Sequence, residues 1–364
     1  MHKNFVKIPP IVKSAVDLCF YIIRHPRKFY KYNILRRFVV RFSRLYSDRK
    51  YLKIVFPWGT GYELNIDHPQ TFNEKLQWLK LNYHRPEFSL MVDKAEAKKY
   101  VAEIIGEDHI IPTLGVYNSV NEINFRELPE QFVLKCTHDS GDLIICKDKL
   151  NLDREKVFKQ LKRGLKFDYF YMGREWVYKS VKHRIIAEKF MTDNGDELKD
   201  YKIFNFGGEP KIIEVDFDRF KDHKRHLYTP DWKRIDATFI YRWDDSIIER
   251  PKLLEQMLEF AKKLSKGHPF IRTDFYVINE KVYFGELTFY HDNGFGKICP
   301  FEFDLEMGKW IKLPEATTGT SHRNLFFARA STSLRRFRRR IRRFQVSIKR
   351  RKLGAKKNKI TLNL

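Results

Sequence analysis

Cysteine is scarce in this chain: four in 364 residues, Cys19, Cys136, Cys146 and Cys299, with no C-x-x-C pair and no histidine at ligand spacing. That excludes a disulfide framework and a zinc ribbon or finger, and a reducing cytoplasm is the expected compartment. Long hydrophobic runs are missing as well. The apolar stretch Leu18-Cys19-Phe20-Tyr21-Ile22-Ile23 is six residues, too short to span a bilayer, and no small-residue cleavage site follows it. No internal repeat is visible. Acidic residues are absent from the last 49 positions, 316–364, which carry 16 Lys and Arg.

What is present is enough apolar material for a large core, 43% hydrophobic and 15% aromatic. The net charge of +25 lies at the ends: residues 1–56 sum to +12 and residues 316–364 to +16, which leaves 57–315 at −3. A slightly acidic body between basic arms does not read as a domain with a nucleic-acid face, so no specific nucleic acid is expected. Three parts follow: a basic helical arm 1–56, a catalytic body 57–315, and a basic amphipathic tail 316–364.

In the tail, Leu334, Phe337, Ile341, Phe344 and Ile348 recur at helical spacing, with Arg335, Arg336, Arg338, Arg339, Arg340, Arg342 and Arg343 on the other faces. One apolar stripe on a cationic helix suits the headgroup plane of an anionic membrane, each basic residue adding about 1 kcal/mol. The N-terminal arm repeats the pattern at Leu35, Phe38, Val39, Phe42 and Leu45, as a second interfacial helix or one packed on the body. The expected location is therefore the inner face of the plasma membrane, held peripherally.

Within the body, helices are expected over 72–79, 93–105, 152–165 and 251–264, and strands over 131–136, 143–146, 184–190, 201–206, 210–216, 270–277 and 281–288. Hairpins mixed with helices predict an α+β fold with mainly antiparallel sheets. Asp274 and Glu286 fall on the two strands of one hairpin. Facing carboxylates repel unless a cation lies between them, and a carboxylate pair completed by phosphates and water suits Mg²⁺; on an ordinary strand such acids simply face solvent. Lys135 ends an apolar strand just before the polar loop Thr137-His138-Asp139-Ser140-Gly141-Asp142, where its ammonium and the loop N–H groups can converge on phosphate.

The order of these features, together with Thr71-Phe72-Asn73-Glu74-Lys75-Leu76-Gln77-Trp78, Asp93-Lys94, Phe132 to Gly141, Ile186-Ala187-Glu188-Lys189-Phe190, Asp200-Tyr201-Lys202 and Gly285-Glu286-Leu287-Thr288-Phe289-Tyr290, resembles the ATP-grasp superfamily. Within it the chain resembles the TupA-like ATP-grasp family, named for teichuronopeptide biosynthesis and found with capsule and surface-polysaccharide genes. The resemblance covers roughly residues 65–313. It implies an ATP-grasp fold of two α+β subdomains clamping ATP, with body segments 57–130, 131–190 (nucleotide) and 191–315 (metal and substrate).

It further implies that Lys94 and Lys135 hold nucleotide phosphates, with Thr137, His138, Ser140 and Gly141 in the loop that folds over them. Glu188, Lys189 and Phe190 would contact adenine; Asp274, Glu286 and Thr288 would bind Mg²⁺, Thr288 standing where the superfamily usually has Asn. Arg272 would face the transferring phosphoryl group. The implied reaction is ATP-dependent joining of a carboxylate to an amine through an acyl phosphate. The partners would be a glycan or lipid-linked saccharide carboxylate and an amine such as an amino acid. Lys202, Arg219, Lys224 and Arg225 are candidates for the cradle of that carboxylate, with Lys202 counted beside Arg272 as catalytic; a solvated basic loop is the alternative for the last three. The rival reading is a glycosyltransferase using Asp216-Phe217-Asp218 as a D-x-D metal site for a sugar nucleotide.

Overall fold

The computed structural model describes residues 39–40, 42–139, 143–193, 198–217, 223–241 and 243–317. It divides into two units, Met1–Glu315 and Ala316–Leu364. The tail stripe from Leu334 to Ile348 and the apolar stretch Leu18–Ile23 lie outside the described residues, as do Ser140, Gly141, Asp218 and Arg219.

Eight α-helices and eleven strands are formed among the described residues: α1 Asp48–Thr60, α2 Phe72–Asn82, α3 Phe88–Val92, α4 Glu96–Ile105, β1 Thr113–Tyr117, β2 Phe132–Cys136, β3 Leu143–Cys146, α5 Arg154–Lys166, α6 Phe170–Gly173, β4 Ile185–Lys189, β5 Asp200–Phe206, β6 Glu209–Phe217, β7 Lys224–Tyr228, β8 Thr238–Phe239, α7 Leu254–Ser265, β9 Phe270–Ile278, β10 Lys281–Thr288, β11 Ile298–Cys299 and α8 Phe301–Trp310. All sheet pairings are antiparallel, in the orders β1-β4-β2-β3, β10-β9-β5-β6-β7 and β11-β8. This is the α+β architecture that the strand and helix patterns predict.

The four-stranded sheet has one greasy face. Phe132, Leu134, Cys136, Ile185 and Ala187 alternate inward and pack with Val157 and Leu161 of α5. The other face, by the period of two, carries Val133, Lys135, Ile186 and Glu188. Strand β1 joins this sheet from the segment before residue 131, pairing with β4.

The five-stranded sheet is covered on one face by α7, whose Leu254, Met257, Ala261 and Leu264 are buried in the main core. Its other face changes character along the strands. Phe204, Phe206 and Phe270 pack around Phe72 of α2 at one end. At the other end the same face presents Asp274, Lys202 and Glu214 in one cross-strand row and Asp200, Asp216 and Arg225 in the next.

Helix α1 starts at residue 48 and runs past residue 56, so the boundary expected there falls inside a helix. Its Tyr51, Leu52, Val55 and Phe56 are buried with Leu64 and Ile66. Helix α2 begins with a capping box, Thr71 accepting from Glu74 N while Glu74 accepts from Thr71 N.

Candidate functional site

Two groups of charged side chains are built, one on each large sheet. On the four-stranded sheet, Lys135 of β2 and Glu188 of β4 are diagonal neighbours and pair at 2.6 Å. Lys98 of α4 pairs with the other oxygen of Glu188, also at 2.6 Å, and donates to Ile111 O at 2.7 Å. Burial opposes ionisation of Glu188, but Lys135 and Lys98 hold it below the ordinary carboxylate range. Lys98 was not anticipated, although its spacing of four from Lys94 is a usable signal.

Lys94 lies just before α4. Its ammonium donates to Asp139 O and lies 3.8 Å from the Asp139 carboxylate. Burial pulls its pKa down against the fields of Glu286 and Asp139. The position is braced by Asp93, which accepts from Ala95 N and Glu96 N at the start of α4 and pairs with Arg184 at 2.8 Å.

Thr137 and His138 are engaged with the backbone. Thr137 Oγ1 donates to Lys182 O at 3.0 Å, and the His138 ring, 3.1 Å from Phe167 O, stacks on His183 with centroids 3.7 Å apart. Burial, with His183 beside it, pushes His138 down to about 4. Both side chains therefore hold the loop base together. Lys189 is exposed, and Phe190 is half-buried near the ammonium of Lys147.

The second group is centred on Arg272. Its Nε and Nη2 donate to the two oxygens of Asp274 at 2.7 and 2.6 Å, and Nη2 also reaches Glu286 at 2.8 Å. Glu286 can face Asp274 because β10 carries one extra residue between Phe284 and Leu287, so that Gly285 and Glu286 oppose the single residue Asp274. A Cβ on Gly285 would lie 3.1 Å from Asp274 O, which accounts for the glycine. Thr288 Oγ1 donates to Glu286 at 3.1 Å.

Burial raises Asp274 above the ordinary carboxylate range, with Glu286 and Asp200 adding to the rise against Arg272. Glu286 goes the other way: burial opposes it, but Arg272, Lys94 and Lys202 hold it low. With both acids ionised, one guanidinium leaves a surplus of negative charge, and that repulsion is part of what raises Asp274. Hard oxygen donors with that surplus fit a divalent cation whose coordination is completed by phosphate oxygens; among the described residues, no cluster of three or more ligating side chains forms a closed cage.

Lys202 and Arg225 are brought to the same face but are consumed internally. The Lys202 ammonium pairs with Asp200 and, at 2.9 Å, with Asp216. Arg225 binds both oxygens of Asp216 at 2.8 and 3.2 Å and lies 3.1 Å from Glu214. Lys224 pairs with Asp244 at 2.6 Å. Lys224 and Arg225 lie on strand β7, not in a solvated loop. A D-x-D metal site at Asp216 is disfavoured on the same evidence, since the carboxylate is already held by two cations.

The two groups meet electrostatically through Lys94, which feels Glu286 of one sheet and Glu188 of the other. A sequence model of the TupA-like ATP-grasp family matches residues 74–312, the span that contains both groups. The chain belongs to the TupA-like ATP-grasp family.

Solved structures are similar at low identity. D-alanine–D-alanine ligase from Bacillus anthracis, complexed with ATP, is 16% identical over 55% of this chain and 53% of that one, with a TM-score of 0.33. The Helicobacter pylori D-alanine–D-alanine ligase is 19% identical over 66% and 69%, TM-score 0.34, and phosphoribosylamine–glycine ligase from Thermotoga maritima is 15% identical over 56% and 48%, TM-score 0.35. This ATP-grasp chain thus spans about half the length of the Bacillus anthracis ligase. No curated protein matches it. Among the described residues no helix is long and apolar enough to cross a membrane.

Proposed function

We propose that this TupA-like ATP-grasp protein is an ATP-dependent ligase that joins a carboxylate to an amine in surface-polysaccharide assembly, the carboxylate being a uronic-acid or amino-acid group of a glycan. The observation that carries the reading is the pairing of sites: Lys135 and Glu188 on one sheet, met by Lys98 of α4 and Lys94 just before it, and Arg272, Asp274 and Glu286 on the other sheet, with Lys94 in the field of acids from both. Cations at one sheet suit nucleotide phosphates, and acids at the other suit the metal that accompanies them.

In this reaction a substrate carboxylate oxygen attacks the γ-phosphorus of ATP, ADP leaves, and the amine attacks the acyl carbon as phosphate departs and the amine loses a proton. Asp274 and Glu286 would hold Mg²⁺, which supplies neutralisation of the phosphate charge. Lys94 and Lys135 orient the phosphates, and Arg272 faces charge that develops in the transition state. Lys202 and Arg225 contribute by fixing the acid network beneath the site, which leaves the substrate carboxylate to be met by other groups. The cationic amphipathic pattern from Leu334 to Ile348 would keep the enzyme near lipid-linked intermediates at the cytoplasmic membrane face.

Thermal shift with Mg²⁺–ATP, Mg²⁺–ADP, and Mn²⁺ with sugar nucleotides tests the site. At 100 times its dissociation constant a ligand stabilises by about 2.7 kcal/mol. Stabilisation by adenine nucleotides, lost in Lys135→Ala and Glu286→Ala, is expected, followed by ADP release on screening carboxylate and amine pairs. A response to sugar nucleotides alone, abolished by Asp216→Ala, would replace the ligase with the glycosyltransferase. Liposome flotation unchanged by deletion of residues 331–364 would remove the tail from the membrane role.

A further inference from the structure

Helix α2 carries Asn73, Gln77 and Lys80 at positions i, i+4 and i+7, which is one stripe of a helix, and all three are buried. Buried polar groups need partners. All three reach carbonyls of one turn: Asn73 Nδ2 donates to Gly296 O at 2.9 Å, Gln77 Nε2 to Gly294 O at 2.7 Å and Asn293 O at 3.1 Å, and Lys80 Nζ to Asn293 O at 2.7 Å, while Asn73 also donates to Asp304 at 3.1 Å and Lys80 to Gly173 O at 2.8 Å and Gln77 Oε1 at 3.0 Å. That turn contains three successive left-handed residues, Asp292, Asn293 and Gly294, with φ of 47, 56 and 56°. Such a run costs energy and persists only where its surroundings hold it.

The residue at the head of the turn is His291, buried between Phe204 and Phe239. Its Nδ1 lies 2.8 Å from Arg272 Nη1. A guanidinium has donors only, so Nδ1 must offer its lone pair, and the ring proton belongs on Nε2, 3.0 Å from Asp292. Arg272 is thereby held on two sides, by Asp274 along its Nε–Nη2 edge and by His291 at Nη1.

We infer that the Asn73–Gln77–Lys80 stripe and His291 form a positioning device for Arg272: the helix fixes the turn, the turn fixes the imidazole, and the imidazole fixes the guanidinium against the reacting groups. His291 is a positioning residue, because it acts through Arg272. The inference rests on the proposed role of Arg272 toward the phosphoryl group.

The test compares His291→Asn, whose Oδ1 can take the place of Nδ1 as acceptor, with His291→Phe, which keeps an aromatic ring but loses the acceptor. Both are made in the full chain, and Gln77→Met serves as a third variant that loosens the turn without touching the ring. For ADP release from ATP, His291→Phe is expected to lower kcat at least tenfold with KM for ATP within about twofold; His291→Asn restores most of it, and Gln77→Met shifts kcat in the same direction. Equal kcat in His291→Phe and wild type, or no rescue by Asn, overturns the inference, and if His291→Phe does not fold, an unchanged kcat in Gln77→Met does so. Crystal structures of the variants separate this inference from the ligase reading. Arg272 displaced in His291→Phe and retained in His291→Asn upholds the positioning even where wild type shows no ATP turnover, whereas Arg272 unmoved in both overturns it.

Discussion

The carboxylate of Glu188 is shared between Lys135, on the neighbouring strand, and Lys98 in the first turn of α4, each at 2.6 Å. Burial makes this a pair in which losing one partner matters more than the net worth of the bridge. Lys98→Met should therefore destabilise the protein by roughly 1–3 kcal/mol and weaken Mg²⁺–ATP binding, whereas Lys98→Arg should retain most of both. Chemical denaturation and isothermal titration with ATP read the two effects; a Lys98→Met variant indistinguishable from wild type in both would show that Lys135 alone satisfies Glu188.

Glu74 is the one acid of the motif from Thr71 to Trp78. Its two oxygens accept from Asn65 N at 2.9 Å, Gln70 N at 2.9 Å and Thr71 N at 3.1 Å, so one side chain satisfies three backbone donors. Glu74→Ala should cost roughly 2–3 kcal/mol, more than an ordinary cap, because three backbone N–H groups, that of Thr71 buried, lose their acceptor. Glu74→Gln keeps one acceptor oxygen and should lose about half as much. Urea unfolding midpoints at constant slope would measure both.

How much of this was legible in the sequence depends on which force shapes each element. Strands β2 and β4 were legible because one face is apolar and the period of two survives, as at Phe132, Leu134 and Cys136. Strand β7 was not: Lys224-Arg225-His226 reads as a charged loop, since the acids that make Arg225 buriable, Glu214 and Asp216, come from a different strand. The boundary drawn at residue 56 followed charge, and charge does not report that α1 runs on through Pro57 and Gly59. The hairpin of Asp274 and Glu286 was legible, but the extra residue that lets them face each other was not. His291 gave no signal because its partners, Arg272 and the stripe on α2, are distant in sequence.

Two buried histidines set an acid limit on stability. His138 and His268 are each pushed down to about 4, chiefly by burial, the first stacked on His183 and the second lying against Phe88 and Phe289. Between about pH 6.5 and 4 the unfolded chain binds protons that the fold refuses. Their contribution is complete above pH 6.5 and is lost as pH falls through that window, by up to about 3 kcal/mol each. Glu175, pushed up to about 7 by burial, acts with the opposite sign, so the measurement is a difference. The stability gap between wild type and His268→Gln, read by denaturation at pH 7 and pH 4.5, should narrow at the lower pH; a gap independent of pH would mean that His268 takes up its proton inside the fold.

Gly308 of α8 lies close against the backbone that leads into α2. A Cβ there would lie 1.9 Å from Gln70 O and 2.8 Å from Thr71 C, just where α2 begins. The same helix delivers Asp304, whose carboxylate takes the Asn73 N–H at 3.2 Å, its side-chain amide at 3.1 Å and the Tyr62 hydroxyl at 2.6 Å. Moving α8 outward therefore breaks bonds that hold the first turn of α2, the base of the stripe that grips the His291 turn. Gly308→Ala should destabilise by about 2–4 kcal/mol through overpacking against backbone, which cannot rotate away. Gly207→Ala is the control: φ there is +60° but nothing lies within 4 Å of the added carbon, so only the backbone cost of about 1 kcal/mol is expected. Equal losses in the two variants, measured by denaturant unfolding, would show that α8 can shift without penalty and that Asp304 does not depend on the close approach.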